Sequence, residues 1–195
     1  MNNAITIAIL AGGHSERMGS DKSFALLRGR PLIQHVIDHV AVLALPTIII
    51  ANDIARYQVL GLPVFPDALA DKGSLGGIYT ALSASQTDAV LCVACDMPFL
   101  NPDLLRYLTT LLQGVDAVVP QVEDRPQGLH TIFHKACLPT MREVLEQDQL
   151  KVGDYLRQMH VRYVGENDLR RYDPDLQSFT NVNTPADLQR AESLI

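Results

Sequence analysis

The sequence predicts an α/β fold: one three-layer α/β/α domain built on a mostly parallel, doubly wound, Rossmann-like sheet. Three observations carry this. Apolar, β-branched runs of strand length recur at 4–10, 47–51 and 89–94; helical segments stand between them; and turns rich in Gly, Asn or Asp follow the runs. Continuous rather than alternating hydrophobicity marks strands buried on both faces. At 195 residues the chain has the size of a single domain with a substantial core.

Composition narrows the function classes. A hydrophobic content of 47% with 19% charged residues is ordinary for a folded protein, and no low-complexity tract interrupts it. The net charge of -6, without a Lys/Arg block, argues against a nucleic-acid surface but leaves room for a small anionic ligand held by a few cations. No Lys or Arg precedes Arg17, and the apolar stretch 40–51 is broken by Pro46 and Thr47, short of the roughly 20 residues that span a bilayer. A cytoplasmic protein with no membrane or nucleic-acid partner is expected.

The first strand runs into Leu10-Ala11-Gly12-Gly13, and within ten residues the chain adds Arg17, Gly19 and Lys22. Glycine N–H groups and two cations suit an oligophosphate. Neither the P-loop pattern nor the dinucleotide fingerprint fits, and Gly13-His14-Ser15-Glu16-Arg17 departs from a hydrolase elbow at its last position. A bare Gly-Gly pair alone would suit an ordinary turn. The next helix starts at Pro31, with Leu32, Ile33, Val36, Ile37 and Val40 on its buried stripe. His35 and His39 are four apart but lack the Glu of a zinc-binding helix, so they read with Gln34 and Asp38 as a solvated face.

The second strand, 47–51, ends at Asn52-Asp53, which can cap a short helix, and a short strand at 63–66 precedes Asp67. Ligands of such sheets bind beyond the carboxyl ends of the strands, where Gly12, Asn52 and Asp67 fall. Residues 71–77 form a second glycine-rich loop leading into a helix over 78–85; it is either a nucleotide-holding turn or a linker. In the strand 89–94, Cys92 and the following Cys95 point to opposite faces and read as buried thiols rather than a redox or zinc pair. Asp96 emerges at the ligand edge before Pro98, as a magnesium ligand or a turn cap. Asn101 and Pro102 begin the next helix.

A strand at 115–119 follows, then a polar turn over 125–130 leading into 131–134, with His130 a structural or surface histidine. Helices over 135–147 and 152–159 read as packing elements. Thr184, Pro185 and Asp187 make a helix start, while Asn181 and Asn183, two apart in an extended segment, present two amides to one side.

Four separated strings, L-A-G-G-x-S-x-R-M-G-x-D-K from Leu10, G-x-L-G-G from Gly73, C-D-x-P from Cys95 and F-x-N-V-N-T-P-x-D-L from Phe179, resemble the molybdenum cofactor guanylyltransferase family of nucleotidyltransferases. The resemblance spans Leu10 to Leu188. It implies one nucleotidyltransferase domain over 1–195, with a GTP-binding N-terminal half and a molybdopterin-binding C-terminal half. The activity implied is transfer of GMP from GTP to the terminal phosphate of molybdopterin, or of its molybdenum-loaded form, with release of pyrophosphate. Leu10, Ala11, Gly12, Gly13, Lys22, Asn52, Asp67, Gly76, Gly77 and Asp96 are implied as the nucleotide site; Arg17, Lys22 and Asp96 as the catalytic groups; Asp96 as the Mg²⁺ ligand; and Asn181 and Asn183 as the molybdopterin site. Cofactor-donor proteins and apo-molybdoenzymes are candidate partners. Ala11-Gly12-Gly13 favours the guanylyl over the cytidylyl branch by one residue. A cytidylyltransferase, a sugar-phosphate nucleotidyltransferase and a non-catalytic molybdopterin carrier are the alternatives. One departure stands out: members commonly carry Asn-x-Asn after the second strand, and this chain has Ile50-Ala51-Asn52.

Overall fold

The computed structural model describes residues 4–11 and 22–194. In chain order the elements are β1 (Ile5–Leu10), β2 (Leu26–Leu27), β3 (Arg30–Pro31), α1 (Leu32–Ala41), β4 (Thr47–Ile50), α2 (Ile54–Tyr57), β5 (Val64–Phe65), α3 (Gly73–Ala84), β6 (Ala89–Ala94) and α4 (Pro102–Thr109). There follow β7 (Ala117–Val122), β8 (Arg125–Pro126), β9 (His130–His134), α5 (Leu138–Glu146), α6 (Val152–Leu156), β10 (Val161–Val164), α7 (Glu166–Leu169) and α8 (Pro185–Glu192). Among the described residues no helix is long and apolar enough to cross a membrane.

The main sheet runs β10-β7-β9-β6-β1-β4-β5, with β8 paired to β7 and β2-β3 forming a separate hairpin. The pairs β6-β1, β1-β4, β4-β5 and β10-β7 are parallel, whereas β9 runs antiparallel to both of its neighbours. The expected mostly parallel sheet is therefore present, with β9 reversed. Every residue of β6 is buried, because helices cover both faces.

Alternation along the strands feeds two cores. Ile7, Ile9, Ile49, Leu91 and Val93 pack with Ile33, Val36, Leu104, Leu108 and Leu169 on the α1/α4/α7 face. Ala8, Ile48, Ile50, Val90 and Cys92 pack with Leu75, Ile78, Met141, Leu145 and Tyr155 on the α3/α5/α6 face. This is the three-layer α/β/α arrangement. Each fully buried Ile, Leu or Val contributes roughly 1.5–3 kcal/mol. Cys92 and Cys95 fall in opposite cores, and all three cysteines are buried. Burial raises the pKa of Cys92 and Cys137, the latter to about 12, so both remain neutral at physiological pH.

Several sequence expectations require correction. The glycine-rich segment is not a loop before a helix at 78: α3 already begins at Gly73, so Gly76 and Gly77 are helical. Their poor helix propensity is offset by close packing, since a Cβ at Gly76 would lie 2.5 Å from Lys72 Cβ. Pro31 belongs to the β2-β3 hairpin and flanks α1 rather than starting it. The strand expected at 115–119 runs over Ala117–Val122, and the helix expected from 135 begins with a 3₁₀ turn, Lys135–Cys137, before α5. The histidine face of α1 is half-buried rather than solvated. His35 Nε2 lies 3.1 Å from the Leu27 carbonyl, and His39 Nδ1 is buried with no hydrogen-bond partner among the described residues. Burial, with the neighbouring His35, lowers the pKa of His39.

Candidate functional site

The strand register brings the site together. Leu10 of β1 pairs with both Ile50 of β4 and Ala94 of β6, so three carboxyl ends finish in one row. Beyond that row the Ala11 N–H donates to the Ile50 carbonyl at 2.9 Å, and the Cys95 N–H donates to the Leu10 carbonyl at 3.1 Å. A cavity of about 320 Å³ opens here, with Leu10, Lys22, Asn52, Asp67, Gly77 and Asp96 among its lining residues.

Asp96 is the most constrained charged group in the cavity. It is 4% exposed, and its Oδ2 accepts from Lys22 Nζ at 2.5 Å. Lys22 Nζ also donates to Asn183 Oδ1 at 2.9 Å. The Asp96 carbonyl accepts from the Val182 N–H at 2.9 Å, which pins the C-terminal segment to the end of β6. Val182 is fully buried while Asn181 and Asn183 on either side are exposed. The α8 cap completes the placement: Asp187 Oδ2 accepts from the Asn183 N–H at 3.0 Å and the Thr184 N–H at 2.8 Å, while Thr184 Oγ1 accepts from the Asp187 N–H. That is the capping box foreseen from Thr184, Pro185 and Asp187.

Among the described residues Asp96 Oδ1 has no hydrogen-bond partner although it is buried. A buried acceptor in this state costs about 1–3 kcal/mol, and more when charged. A hard cation or a donating ligand satisfies it. Among the described residues there is no group of three or more His, Cys, Asp or Glu placed to hold a metal. The donor set therefore fits an ion that takes one or two carboxylates and completes its shell from phosphate oxygens and water, as Mg²⁺ does.

On the other wall Asn52 and Asp67 form a reciprocal pair. The Asp67 N–H donates to Asn52 Oδ1 at 2.9 Å, and Asn52 Nδ2 donates to Asp67 Oδ2 at 3.0 Å. A Cβ at Gly77 would touch the Leu10 methyls at 3.5 and 3.7 Å and Asp67 Oδ1 at 4.0 Å, so the glycine leaves this wall open. Ile50 also lines the cavity and is 1% exposed; it closes the floor with hydrocarbon.

The structure therefore places Leu10, Lys22, Asn52, Asp67, Gly77 and Asp96 on one cavity and ties Asn183 to it through Lys22. Ala11 lies at the strand exit, Gly76 turns into α3 against Lys72, and Asn181 stands exposed beside Val182. Gly12, Gly13 and Arg17 lie outside the described residues. The cavity also takes in Asp71, Lys72 and Ser74 of the glycine-rich 71–77 segment, and Leu129, which sequence reasoning did not single out. Lys72 pairs with Asp148 at 2.5 Å, a contact between positions 76 apart with no local signature. His130 is a structural histidine, fully buried with its ring 4.7 Å from that of Phe179.

A parallel-dominated sheet with a lysine–aspartate pair, a glycine-bearing helix and an asparagine strap at its carboxyl edge defines a nucleotidyltransferase-type α/β domain. The comparisons agree at two levels. The chain belongs to the MobA-like NTP transferase domain family, whose model matches residues 7–162. It is 37% identical to a probable molybdenum cofactor guanylyltransferase of Pelotomaculum thermopropionicum, over 95% of this chain and 91% of the relative. It is 36% identical to the molybdenum cofactor guanylyltransferase of Vibrio vulnificus, over 92% of this chain and 91% of the relative. Among solved structures, the molybdopterin-guanine dinucleotide biosynthesis protein A of Archaeoglobus fulgidus superposes with a TM-score of 0.86 at 29% identity, covering 97% of both chains.

Proposed function

We propose that the protein transfers GMP from GTP to the terminal phosphate of molybdopterin, with or without molybdenum bound, in the cytoplasm. An oxygen of the molybdopterin phosphate attacks the α-phosphorus of GTP; the bond from that phosphorus to the bridging oxygen breaks, and its electron pair leaves on pyrophosphate. The observation that carries this reading is the Lys22–Asp96–Asn183 constellation at the carboxyl edge of the sheet, in a chain whose relatives are guanylyltransferases.

No protein nucleophile is needed. A phosphate monoester, with a second pKa near about 6, is already largely dianionic at neutral pH, so the protein must align two anions and offset their repulsion. Lys22 stabilises the charge that develops at the α-phosphate, exchanging part of its contact with Asp96 Oδ2 for a phosphate oxygen. Asp96 would hold Mg²⁺, which when bound supplies charge neutralisation at the triphosphate. Arg17 and the N–H groups of Gly12 and Gly13 are assigned to the β- and γ-phosphates that leave. Leu10, Ala11, Gly12, Gly76 and Gly77, with Asn52 and Asp67, hold guanine and ribose in the N-terminal half. Asn181 and Asn183 hold the molybdopterin phosphate end in the C-terminal half.

The test is pyrophosphate release from GTP, assayed with and without Mg²⁺ and with and without molybdopterin, with CTP and UTP as competitors. Release that requires both and prefers GTP is expected. Preference for CTP would move the protein to the cytidylyl branch, and molybdopterin binding without turnover would make it a carrier.

A further inference from the structure

We infer that Tyr57 is a positioning residue for the Lys22–Asp96 pair, acting through a buried chain of hydrogen bonds that joins the pair's immediate chain neighbours; this rests on the guanylyl-transfer reading above. Tyr57 ends α2 and is 1% exposed, with its ring against Phe24 at 5.2 Å between centroids and an interplanar angle of 60°. Packing of the ring does not require a hydroxyl. The hydroxyl nevertheless donates to the Ala11 carbonyl at 3.0 Å and is hydrogen-bonded to Ser23 Oγ at 2.7 Å, and Ser23 Oγ is in turn hydrogen-bonded to Cys95 Sγ at 3.2 Å.

Each partner in this chain stands beside a group that matters. Ala11 follows the last residue of β1, Ser23 follows Lys22, and Cys95 precedes Asp96. Lys22 and Asp96 are 74 positions apart, yet their chain neighbours Ser23 and Cys95 are also joined, side chain to side chain. One buried hydroxyl thus ties the exit of β1 to the start of the segment bearing Lys22, and Ser23 extends the tie to the end of β6. A displacement of about 1 Å between reacting groups can cost on the order of 100-fold in rate, so a tie at this point governs turnover more than affinity.

The other end of α2 bears on the cavity as well. Asn52, paired with Asp67, lies one residue before the N-cap Asp53. The short helix therefore runs from beside the Asn52–Asp67 wall to Tyr57, which bonds Ala11 and the Ser23 that follows Lys22.

The experiment uses the full chain and steady-state GMP transfer from GTP to molybdopterin for the parent, Tyr57→Phe, Lys22→Ala and the double variant, with thermal melts of each. Tyr57→Phe keeps the ring and should melt within about 2–4 °C of the parent. Its kcat should fall on the order of 10- to 100-fold with the KM for GTP changed by less than about threefold. In the Lys22→Ala background the same substitution should cost less than about twofold, because the group being positioned is gone. Ser23→Ala removes the same link with a smaller change to the core and should reproduce the kcat loss. Parent-like turnover in either Tyr57→Phe or Ser23→Ala overturns the positioning role, and so does a Tyr57→Phe loss of equal size in the Lys22→Ala background. A parent that performs no transfer overturns the proposed function and the positioning role together; a parent that transfers beside an unaffected Tyr57→Phe overturns the positioning role alone.

Discussion

Two polar pairs stand at the same sheet edge and are built in opposite ways. Asn52 and Asp67 exchange two hydrogen bonds between neighbouring strand ends, so the pair is satisfied locally and contains no cation. Lys22 and Asp96 come from positions 74 apart, draw in Asn183 from 161 positions away, and leave one carboxylate oxygen buried without a hydrogen-bond partner among the described residues. A satisfied pair holds shape. An incompletely satisfied one stores the capacity to bind something further, and this capacity sits where an arriving phosphate and its metal would meet it.

Removing either charge should separate the two pairs most sharply. Asp96→Ala or Lys22→Ala should lower kcat on the order of 100-fold or more, the scale for loss of a preorganised charge-stabilising group. Turnover within a few-fold of the parent in single-turnover assays would take that residue out of the mechanism.

A smaller effect tests the support beneath Asn183. The C-terminal segment crosses His130 through Phe179 before it reaches Asn181 and Asn183. Burial lowers the His130 pKa from an ordinary 6.5 to about 4. Since the unfolded chain takes up its proton at the higher value, this stability is complete above pH 6.5 and is lost as pH falls toward 4. Between pH 6.5 and 5 the loss should be about 2 kcal/mol. Urea unfolding across that range should show the slope, and His130→Phe should shrink it; an unchanged slope would place the titration elsewhere.

The smallest change is expected from the satisfied pair. Asn52→Ala should raise the KM for GTP about tenfold with kcat nearly preserved, because it loosens a wall without removing charge. A kcat loss as large as that of Lys22→Ala would erase the distinction between the pairs.

Much of this architecture was legible before the structure. The strands β1, β4 and β6 announce themselves as unbroken apolar runs, and the caps Asn101 and Thr184 follow local chemistry that needs no tertiary information. Elements whose signal is not local were missed. β10 lies at the sheet edge with Arg162 and Tyr163 exposed, so its apolar pattern is too thin to see. The start of α3 was hidden because glycine lowers helix propensity, and only the neighbouring Lys72 shows why a side chain is excluded at Gly76. Motif resemblance singled out Lys22, Asp96 and Asn183, but not that Lys22 bonds to both of the others. Tyr57 gave no sign at all, since an aromatic residue in a short helix reads as packing and its hydroxyl partners are 34 and 46 positions away.

The central claim is that this edge joins a GTP α-phosphate to a molybdopterin phosphate. Pyrophosphate release, followed with the parent protein, GTP, Mg²⁺ and molybdopterin, tests it directly. Release that needs all three components and yields the guanine dinucleotide in equal amount is predicted. Folded protein that binds both substrates yet forms neither pyrophosphate nor dinucleotide would contradict it.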